Sequence, residues 1–311
     1  MANILVTTSS FGKFDEGPVK RLRNAGGDIH LNPFGRKLTE TEILDLIERY
    51  QPVGLIAGVE PLTRNVLQAA KRLKAISRCG IGMESVDLDA AEELDIRVTN
   101  TPDGPTVAVA ELTIGMILSL LRKIHISDAG IRNGRWIRPM GNLLYGKTIG
   151  IIGCGRIGKC LAARLEMFGC RILGYDPAVN KSEHLEIVGM DHLIVESDIV
   201  TLHIPGGKNN CHIIDRKQIG AMKKGSFLVN TARGDLVDES ALVEALQSGH
   251  IAGAALDVYE KEPYSGPLAS FENVLLTGHI GSYAIEGRVM MEMQAVENLL
   301  VELNKHQGAS A

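Results

Sequence analysis

The sequence predicts an α/β protein with two doubly wound parallel sheets. Short runs rich in β-branched residues alternate with helical stretches along the whole chain, as in βαβ proteins. The segment VTNTPDGP (98–105) divides the alternation, because two prolines and a glycine interrupt both periodicities. With 311 residues the chain is long enough for two domains. We expect one domain over 1–99 plus 285–311 and a second over 100–284.

The predicted elements follow the apolar runs in order. Buried strands are expected near 3–7, 53–58 and 74–78, and a long helix near 107–122. The strand TIGII then opens the second series, whose later strands are expected near 171–175, 198–203, 226–230, 252–256 and 273–277. A last helix is expected to bury one apolar face, formed at steps of three and four by Ile285, Val289, Met293, Val296, Leu300 and Leu303.

The composition excludes several classes of protein. With 45% hydrophobic and 23% charged residues, a net charge of −4 and no basic block, we expect neither a nucleic-acid nor a membrane partner. Apolar stretches such as 112–121 are too short to span a bilayer, and the N-terminus lacks the basic flank of a signal peptide. The five cysteines form no C-x-x-C pair and no metal-ligand spacing is present, so we expect reduced thiols, no metal and a cytoplasmic location.

A glycine loop follows the first strand of the second series. Gly153-Cys154-Gly155-Arg156-Ile157-Gly158 matches G-x-G-x-x-G between the strand TIGII and an amphipathic helix. In this pattern the first glycine permits a tight turn, the second lets backbone approach a pyrophosphate, and the third lets helix pack on strand. The free N–H groups at the start of the helix favour phosphate. The loop predicts a dinucleotide site.

The next strand, RILGY, ends at Asp176, which lies 18 residues beyond Gly158. A carboxylate there accepts hydrogen bonds from ribose hydroxyls and repels a 2′-phosphate, so NAD is favoured over NADP. The loop by itself leaves FAD, S-adenosylmethionine or a plain strand-turn-helix open. Strand, helix and acid together predict a Rossmann domain that binds NAD, beside a flavodoxin-like substrate domain.

Charged side chains follow three later strands of the same series. Arg233 comes after FLVNTA, Asp257 and Glu262 follow AAL, and His279 follows LLTG. Ligands of open α/β sheets bind at the carboxyl ends of the strands, so we expect these side chains at one crevice. Glycines near His279 on both sides, Gly278 and Gly281, are expected to let its ring reach the site.

Those residue types suit one chemistry. Arginine binds a carboxylate through two parallel hydrogen bonds, and histidine can exchange a proton with an alcohol or ketone near neutral pH. A carboxylate beside the histidine orients the ring and stabilises its charged form. Next to NAD, the set predicts hydride transfer at C2 of a 2-hydroxy acid. Each residue alone is more often a surface charge or a local hydrogen-bonding group; the combination decides the interpretation.

With these motifs, the sequence resembles the D-isomer-specific 2-hydroxyacid dehydrogenases over nearly its whole length. The matching segments are RCGIGMESVDLDAA (78–91), VAELTIGMILSLLR (109–122), GRWIRPMGNLLYGKTIGIIGCGRIG (134–158), TLHIP (201–205), NTARGDLVDESAL (230–242), GAALDVYEKEP (253–263) and LTGHIG (276–281). Within the family, the sequence looks most like the short form, without a regulatory domain, of the members that oxidise 3-phosphoglycerate to 3-phosphohydroxypyruvate in serine biosynthesis.

The resemblance implies a site for each ligand. Arg233, Glu262 and His279 are the implied catalytic residues, and Asp257 is implied to face the nicotinamide amide. The expected cofactor-binding residues are Gly153, Gly155, Arg156, Ile157, Gly158, Asp176, His203, Pro205, Thr106, Thr231, Ala232, Asp257 and Gly281. The expected substrate-binding residues are Arg78, Gly80, Ile81, Gly82 and Arg233. The resemblance also implies a homodimer with helix 107–122 in its interface.

The sequence departs from the family at several places, of which the second named here bears on the substrate. Gly278 stands where a proline is common, and AGVEPLT (57–63) has no basic residue where many phosphoglycerate-oxidising members carry an arginine. Glyoxylate, hydroxypyruvate or another short 2-keto acid is therefore the alternative substrate. Two other functions stay open: an NADH-sensing binding protein on the same scaffold, and a formate-dehydrogenase-like enzyme, which Glu262 disfavours because that group pairs its histidine with glutamine.

Overall fold

The computed structural model describes residues 2–308 of the chain and divides into two compact units. The first unit comprises Met1–Pro105 with Ser282–Ala311, and the second comprises Thr106–Gly281. Both are built on parallel sheets covered by helices, so the predicted fold class is confirmed.

The unit boundaries differ by a few residues from the expected domain limits of 99/100 and 284/285. Residues 100–105 group with the first unit because the start of a long helix, α5 (Asp103–Arg122), packs on the last helix, α11 (Ile285–Gly308). A Cβ added at Gly104 would lie only 2.6 Å from the carbonyl oxygen of Gly287, so no side chain fits there. Gln294 Nε2 also donates to Asp103 Oδ2 at 2.7 Å.

The first unit has a five-stranded parallel sheet in the order β2-β1-β3-β4-β5. Its strands are β1 Ala2–Val6, β2 Gly27–Leu31, β3 Gly54–Ala57, β4 Ala75–Arg78 and β5 Arg97–Asn100. Its helices are α1 Gly17–Asn24, α2 Glu40–Tyr50, α3 Arg64–Ala69, α4 Leu88–Glu93 and α11 Ile285–Gly308. Local signals set several helix starts; at α2 the Thr39 hydroxyl accepts from Glu42 N–H while Thr39 N–H donates to the Glu42 carboxylate.

The second unit has a seven-stranded parallel sheet in the order β12-β11-β10-β9-β6-β7-β8. Its strands are β6 Thr148–Ile152, β7 Arg171–Tyr175, β8 Glu186–Ile187, β9 Ile199–Leu202, β10 Ser226–Asn230, β11 Ile251–Leu256 and β12 Val274–Leu276. Its helices are α6 Ile124–Arg132, α7 Arg156–Glu166, α8 Met190–Glu196, α9 Arg216–Ala221 and α10 Glu239–Gln247, with most of α5 Asp103–Arg122. Short 3₁₀ turns lie at Gly234–Leu236 and Pro267–Ser270.

Strand and helix predictions fail where the sequence lacks an apolar run. Strands β2, β5 and β8 were not predicted, because they are edge strands in which no residue is fully buried. Helix α5 begins at Asp103 rather than Val107. Pro105 is tolerated in its first turn, where backbone N–H groups have no partner in the helix.

The apolar face of α11 was predicted incorrectly in part. Ile285 is 56% exposed, and the fully buried positions include Met291, Ala295 and Leu299. These residues pack with Ile4 and other core residues of the first unit. The buried face of α11 therefore lies one position away from several of the expected residues. More than one set of apolar residues in this helix recurs at steps of three and four, so the spacing did not identify the buried set.

Helix α5 is long and apolar enough to cross a membrane by length and composition alone, with a mean hydropathy of 1.7. Half of that stretch is buried inside the protein, and Met116, Ile117 and Leu120 belong to the core of the second unit. A core helix passes the same test, so this feature is weak evidence for a membrane span.

Candidate active site

The strand order of the second unit places the loops after β6, β9, β10, β11 and β12 on one edge of the sheet. Strand β6 has β7 on one side and β9 on the other, so the strand order changes direction there. This is the position at which open α/β sheets bind ligands. The glycine loop and His203 lie at this point, and the loops that carry Arg233, Glu262 and His279 follow along the same edge.

The three loop glycines occupy three different environments. Gly153 has a φ of +101°, and a Cβ there would collide with the carbonyl of His203. A Cβ at Gly158 would collide with the carbonyl oxygen of Gly153, so helix and strand are packed backbone to backbone. Gly155, by contrast, has no heavy atom within 4 Å of an added Cβ. The first and third glycines are thus required by packing, and the second leaves an open cradle.

This cradle fits a dinucleotide. Gly155 is the N-cap of the eleven-residue helix α7 and has no side chain that could cap the helix, and a helix start of this kind favours a phosphate. Asp176 is fixed at the end of β7, because its two carboxylate oxygens accept from Cys154 N–H and Ala178 N–H, each at 2.9 Å. Arg156 and Ile157 lie in the first turn of α7, and Arg156 is exposed.

His203 lies beside the glycine loop with a buried ring. Its Nε2 is 3.0 Å from Thr201 Oγ1, whereas its buried Nδ1 has no hydrogen-bond partner among the described residues. Burial lowers the pKa of His203 to about 3, so the ring is neutral at physiological pH. The carbonyl of His203 lies against Gly153, so this histidine borders the glycine loop of the expected dinucleotide site.

The other expected cofactor residues are dispersed along this edge. Pro205 is exposed after β9, Thr106 is in the first turns of α5, and Gly281 is buried against Asp257 and Val109. Thr231 is buried, and its hydroxyl lies 2.9 Å from that of Thr113. Since Thr113 donates to Val109 O, Thr231 is the donor in that pair, and its side chain is engaged with α5.

Asn230, which the sequence interpretation missed, shapes the turn that carries Arg233. This buried amide donates to Arg233 O at 2.8 Å and accepts from Ala232 N–H at 3.0 Å. Arg233 itself is partly exposed, and its Nη1 donates to Ala232 O at 2.7 Å. The only advance signal was the polar residue at the end of an apolar strand.

His279 and Glu262 form a direct pair. His279 Nδ1 lies 2.9 Å from Glu262 Oε2, and both side chains are partly exposed. Glu262 Oε1 also accepts from Tyr259 N–H at 3.3 Å. Because an ionised carboxylate can only accept, Nδ1 carries the proton of this hydrogen bond, and Nε2 is left to exchange a proton with a ligand.

Asp257 fixes the loop that carries His279. Its buried carboxylate accepts from Thr277 Oγ1 (2.6 Å), Ile280 N–H (2.8 Å) and Gly281 N–H (2.8 Å), and its carbonyl accepts from His279 N–H (2.8 Å). Contact of Asp257 with the nicotinamide stays a prediction. Its hydrogen bonds give it a further role, which is to position the histidine.

The flanking glycines do not have the role expected of them. His279 itself adopts the left-handed conformation, with a φ of +56°, whereas neither Gly278 nor Gly281 has a positive φ. Gly278 also has open space around it. The hydrogen bonds to Asp257, rather than glycine flexibility, present the ring.

The expected substrate residues Arg78, Gly80, Ile81 and Gly82 lie in the first unit, after β4. Gly80 is fully engaged, since its N–H donates to Thr101 Oγ1 (2.7 Å) and its carbonyl accepts from Thr101 N–H (3.0 Å). The N–H groups of Ile81 and Gly82 have no acceptor within residues 2–308. Two adjacent free donors fit a carboxylate.

Among residues 2–308, no group of three or more His, Cys, Asp or Glu side chains is arranged to hold a metal ion.

Comparisons with known proteins show which family this chain is similar to. The family described as "D-isomer specific 2-hydroxyacid dehydrogenase, NAD binding domain" matches residues 114–281. A D-3-phosphoglycerate dehydrogenase of Methanocaldococcus jannaschii is 42% identical over 296 residues, covering 93% of this chain and 55% of that protein. The chain thus spans about half the length of that relative.

A glyoxylate reductase of Thermofilum pendens is 42% identical over 257 residues, covering 78% of this chain and 76% of that protein. Among solved structures, the TT0316 protein from Thermus thermophilus is 38% identical, with a TM-score of 0.89 over 97% of both chains.

Two glycine substitutions should separate binding from folding. Gly155→Ala should keep the melting temperature, because its Cβ meets nothing, but weaken NADH binding by about tenfold by obstructing the phosphate cradle. Gly158→Ala should lower the melting temperature, because its Cβ collides with Gly153 O. Fluorescence titration with NADH and thermal denaturation measure both. Unchanged NADH affinity in Gly155→Ala would show that the cradle is not the cofactor site.

Proposed function

The chain belongs to the D-isomer-specific 2-hydroxyacid dehydrogenase family, and we propose that it interconverts a D-2-hydroxy acid and its 2-keto acid with NAD. The observation that carries the proposal is the 2.9 Å pair of His279 and Glu262 on the sheet edge that also bears the glycine loop. Bound NAD supplies the hydride acceptor, and as NADH the hydride donor, for C2 of the substrate.

His279 moves the proton. In oxidation its Nε2 takes the proton of the substrate's C2 hydroxyl while Glu262, on Nδ1, stabilises the imidazolium that forms. In reduction the protonated ring donates to the ketone oxygen. The hydrogen bonds to Asp257 hold the ring in place between the two steps.

Arg233 binds the substrate at the same edge. Its guanidinium offers paired donors that fit the carboxylate and polarise the adjacent carbonyl of a 2-keto acid. Asn230 fixes the turn from which this side chain extends. In the first unit, the free N–H groups of Ile81 and Gly82 offer a second set of donors for a carboxylate.

The first candidate substrate is 3-phosphoglycerate, which the sequence resemblance favours. The relative from Methanocaldococcus jannaschii carries the name D-3-phosphoglycerate dehydrogenase. A phosphate needs cations, because an unpaired dianion is costly to desolvate. Arg78, Arg135 and Arg138 are the available candidates, and the last two are exposed.

The second candidate is an unphosphorylated short 2-keto acid, such as glyoxylate or hydroxypyruvate. One specific observation favours it: a carboxylate, Glu60, is buried at the end of β3 in the first unit, where it accepts from the Thr7 hydroxyl and from Gly58 N–H (3.0 Å). Burial raises the pKa of Glu60, while these hydrogen bonds and the charge of Arg78 lower it. The end of β3 therefore offers phosphate a carboxyl group instead of a cation.

An NADH-linked assay of 2-keto acids tests the activity and separates the two candidates. If phosphate contributes to recognition, phosphohydroxypyruvate should exceed hydroxypyruvate by more than about tenfold in kcat/KM, and Arg78→Ala should reduce that advantage. Comparable values would remove 3-phosphoglycerate and leave the dehydrogenase. Absence of NADH oxidation with every 2-keto acid would instead favour an NADH-sensing protein.

Removing the histidine should remove proton transfer. We expect His279→Ala to lower kcat by about 10²–10⁴-fold, the usual contribution of a general acid–base, with NADH affinity retained. Glu262→Gln should change the pH–rate profile, because it removes the charge that favours the imidazolium. Stopped-flow single turnovers isolate the chemical step. A near-normal chemical rate in His279→Ala would refute its role.

We further propose that the protein is a homodimer, with α5 at the interface. Support comes from the segment after α6, in which several large apolar side chains are highly exposed: Trp136 (81%), Met140 (87%), Leu143 (66%) and Tyr145 (76%). Such a concentration of exposed apolar groups is typical of interaction surfaces. Sedimentation equilibrium should give twice the chain mass of 33.6 kDa, and Met140→Glu should shift it toward that single-chain mass. A wild-type mass of one chain would contradict the dimer.

A further inference from the structure

The loop that carries Glu262 needs support from outside itself. Asp257 and Tyr259 are buried, but the tip is exposed, with side-chain exposures of 40% at Glu260 and 39% at Glu262. The hydrogen bond of Glu262 to its own loop, from Tyr259 N–H, is long at 3.3 Å. The distance between Glu262 and His279 therefore depends on how firmly the backbone of residues 259–262 is held.

Glu260 is the residue through which neighbouring elements hold this tip. Its N–H donates to Glu239 Oε1 at 2.8 Å, and its own Oε1 accepts from Glu239 N–H at 3.2 Å. Glu239 is the first residue of α10, so the Glu260 carboxylate caps a free N–H at a helix start. The two glutamates thus bind each other's backbone.

His212 contacts the same oxygen from a third element. Its Nε2 lies 3.0 Å from Glu260 Oε1. The histidine is fixed by a short parallel pairing, in which His212 N–H donates to Asp235 O (2.7 Å) and Ile214 N–H donates to Leu236 O (3.0 Å). Its φ of +52° is an uncommon conformation, which these bonds maintain.

The turn after Arg233 packs on the peptide group between Tyr259 and Glu260. A Cβ at Gly234 would collide with the carbonyl group of Tyr259 and approach Glu260 N to 2.5 Å. The backbone of the arginine turn and that of the glutamate loop are therefore in direct contact. A shift of Glu260 would be transmitted to both sides of the active site.

We propose that Glu260, supported by Glu239 and His212, is a positioning residue that holds Glu262 within hydrogen-bond distance of His279. The inference rests on the proposed function, since Glu262 and His279 matter for the reaction only if the chain is a dehydrogenase. Glu260 acts through the loop backbone and touches neither the ring of His279 nor Arg233.

The charges around Glu260 identify a conservative variant. Burial raises the pKa of Glu239, and the nearby Glu260 charge raises it further, so the two carboxylates repel each other. Asp238 and Tyr264 also lie within electrostatic reach of this cluster. A glutamine at 260 would keep an oxygen that accepts from Glu239 N–H and His212, and would relieve the repulsion. Glu260→Gln should therefore preserve positioning, whereas Glu260→Ala should lose it.

Steady-state kinetics with NADH and hydroxypyruvate, or with the best acid of the substrate panel, are the first test. We expect Glu260→Ala to lower kcat by about tenfold, with KM for NADH unchanged, because a misplaced catalytic group slows chemistry rather than binding. Glu260→Gln should stay within about twofold of wild type. The matched control is Glu244→Ala. Glu244 lies on the same helix as Glu239, and its loss breaks an exposed ion pair with Arg216, which should leave kcat unchanged.

The second test does not require activity. The proton between His279 Nδ1 and Glu262 should give a low-field proton NMR resonance, assigned by its absence in Glu262→Gln. Wild type, Glu260→Gln and Glu244→Ala should show it, and Glu260→Ala should lose or broaden it. If Glu260→Ala does not fold, His212→Ala takes its place, with a weaker resonance expected.

An unchanged resonance in Glu260→Ala, or in His212→Ala where that is used, would overturn the inference. Equal loss of kcat in the Ala and Gln variants would overturn it as well. If wild type reduces no 2-keto acid, the proposed function fails, while the resonance still decides whether Glu260 positions the pair.

Discussion

The buried carboxylate of Asp257 is the constraint on which the active site depends. It joins the ends of two adjacent strands, β11 and β12, by accepting three hydrogen bonds from residues 277–281. A carboxylate that is 1% exposed is costly unless its oxygens are satisfied, so each of these hydrogen bonds offsets part of that cost. Together with the bond from His279 N–H to Asp257 O, they hold the backbone segment in which His279 has the left-handed conformation.

Close backbone contacts also fix other loops at the carboxyl ends of the strands in the second unit. Gly158 lies against Gly153, and Gly234 lies against Tyr259, with no room for a Cβ at either position. Backbone atoms have few conformations available to them, so contacts of this kind transmit position better than contacts between long side chains do. The parallel sheet brings the loops together, and these contacts fix the loops relative to one another within the second unit.

The sequence predicted the parts of this architecture that depend on composition. Apolar runs located the central strands, and the G-x-G-x-x-G spacing with Asp176 located the cradle, because both patterns are local. It missed β2 and β5, whose side chains are half exposed, and it chose the wrong stripe of α11 at Ile285. The sequence also could not show the positioning roles of Asn230 and Glu260, since their hydrogen bonds depend on contacts that only the fold creates. The residue types of Arg233, Glu262 and His279 were informative because strand ends in a parallel sheet converge. The distances between these side chains could not be read from the sequence.

The choice of substrate depends on different groups from those that perform the chemistry. Every 2-keto acid has a carboxylate, so under the proposed function the free N–H groups of Ile81 and Gly82 would suit all of them and discriminate between none. Discrimination must come from side chains, and at the ends of β3 and β4 the two charged residues are Glu60 and Arg78. Arg78 already donates to Cys79 O and lies against Gly80, and its charge opposes the rise in pKa that burial causes at Glu60. Under the proposed function, a phosphate at the end of β3 would meet the Glu60 carboxyl group where a cation is needed, whereas an uncharged substituent would need no cation there.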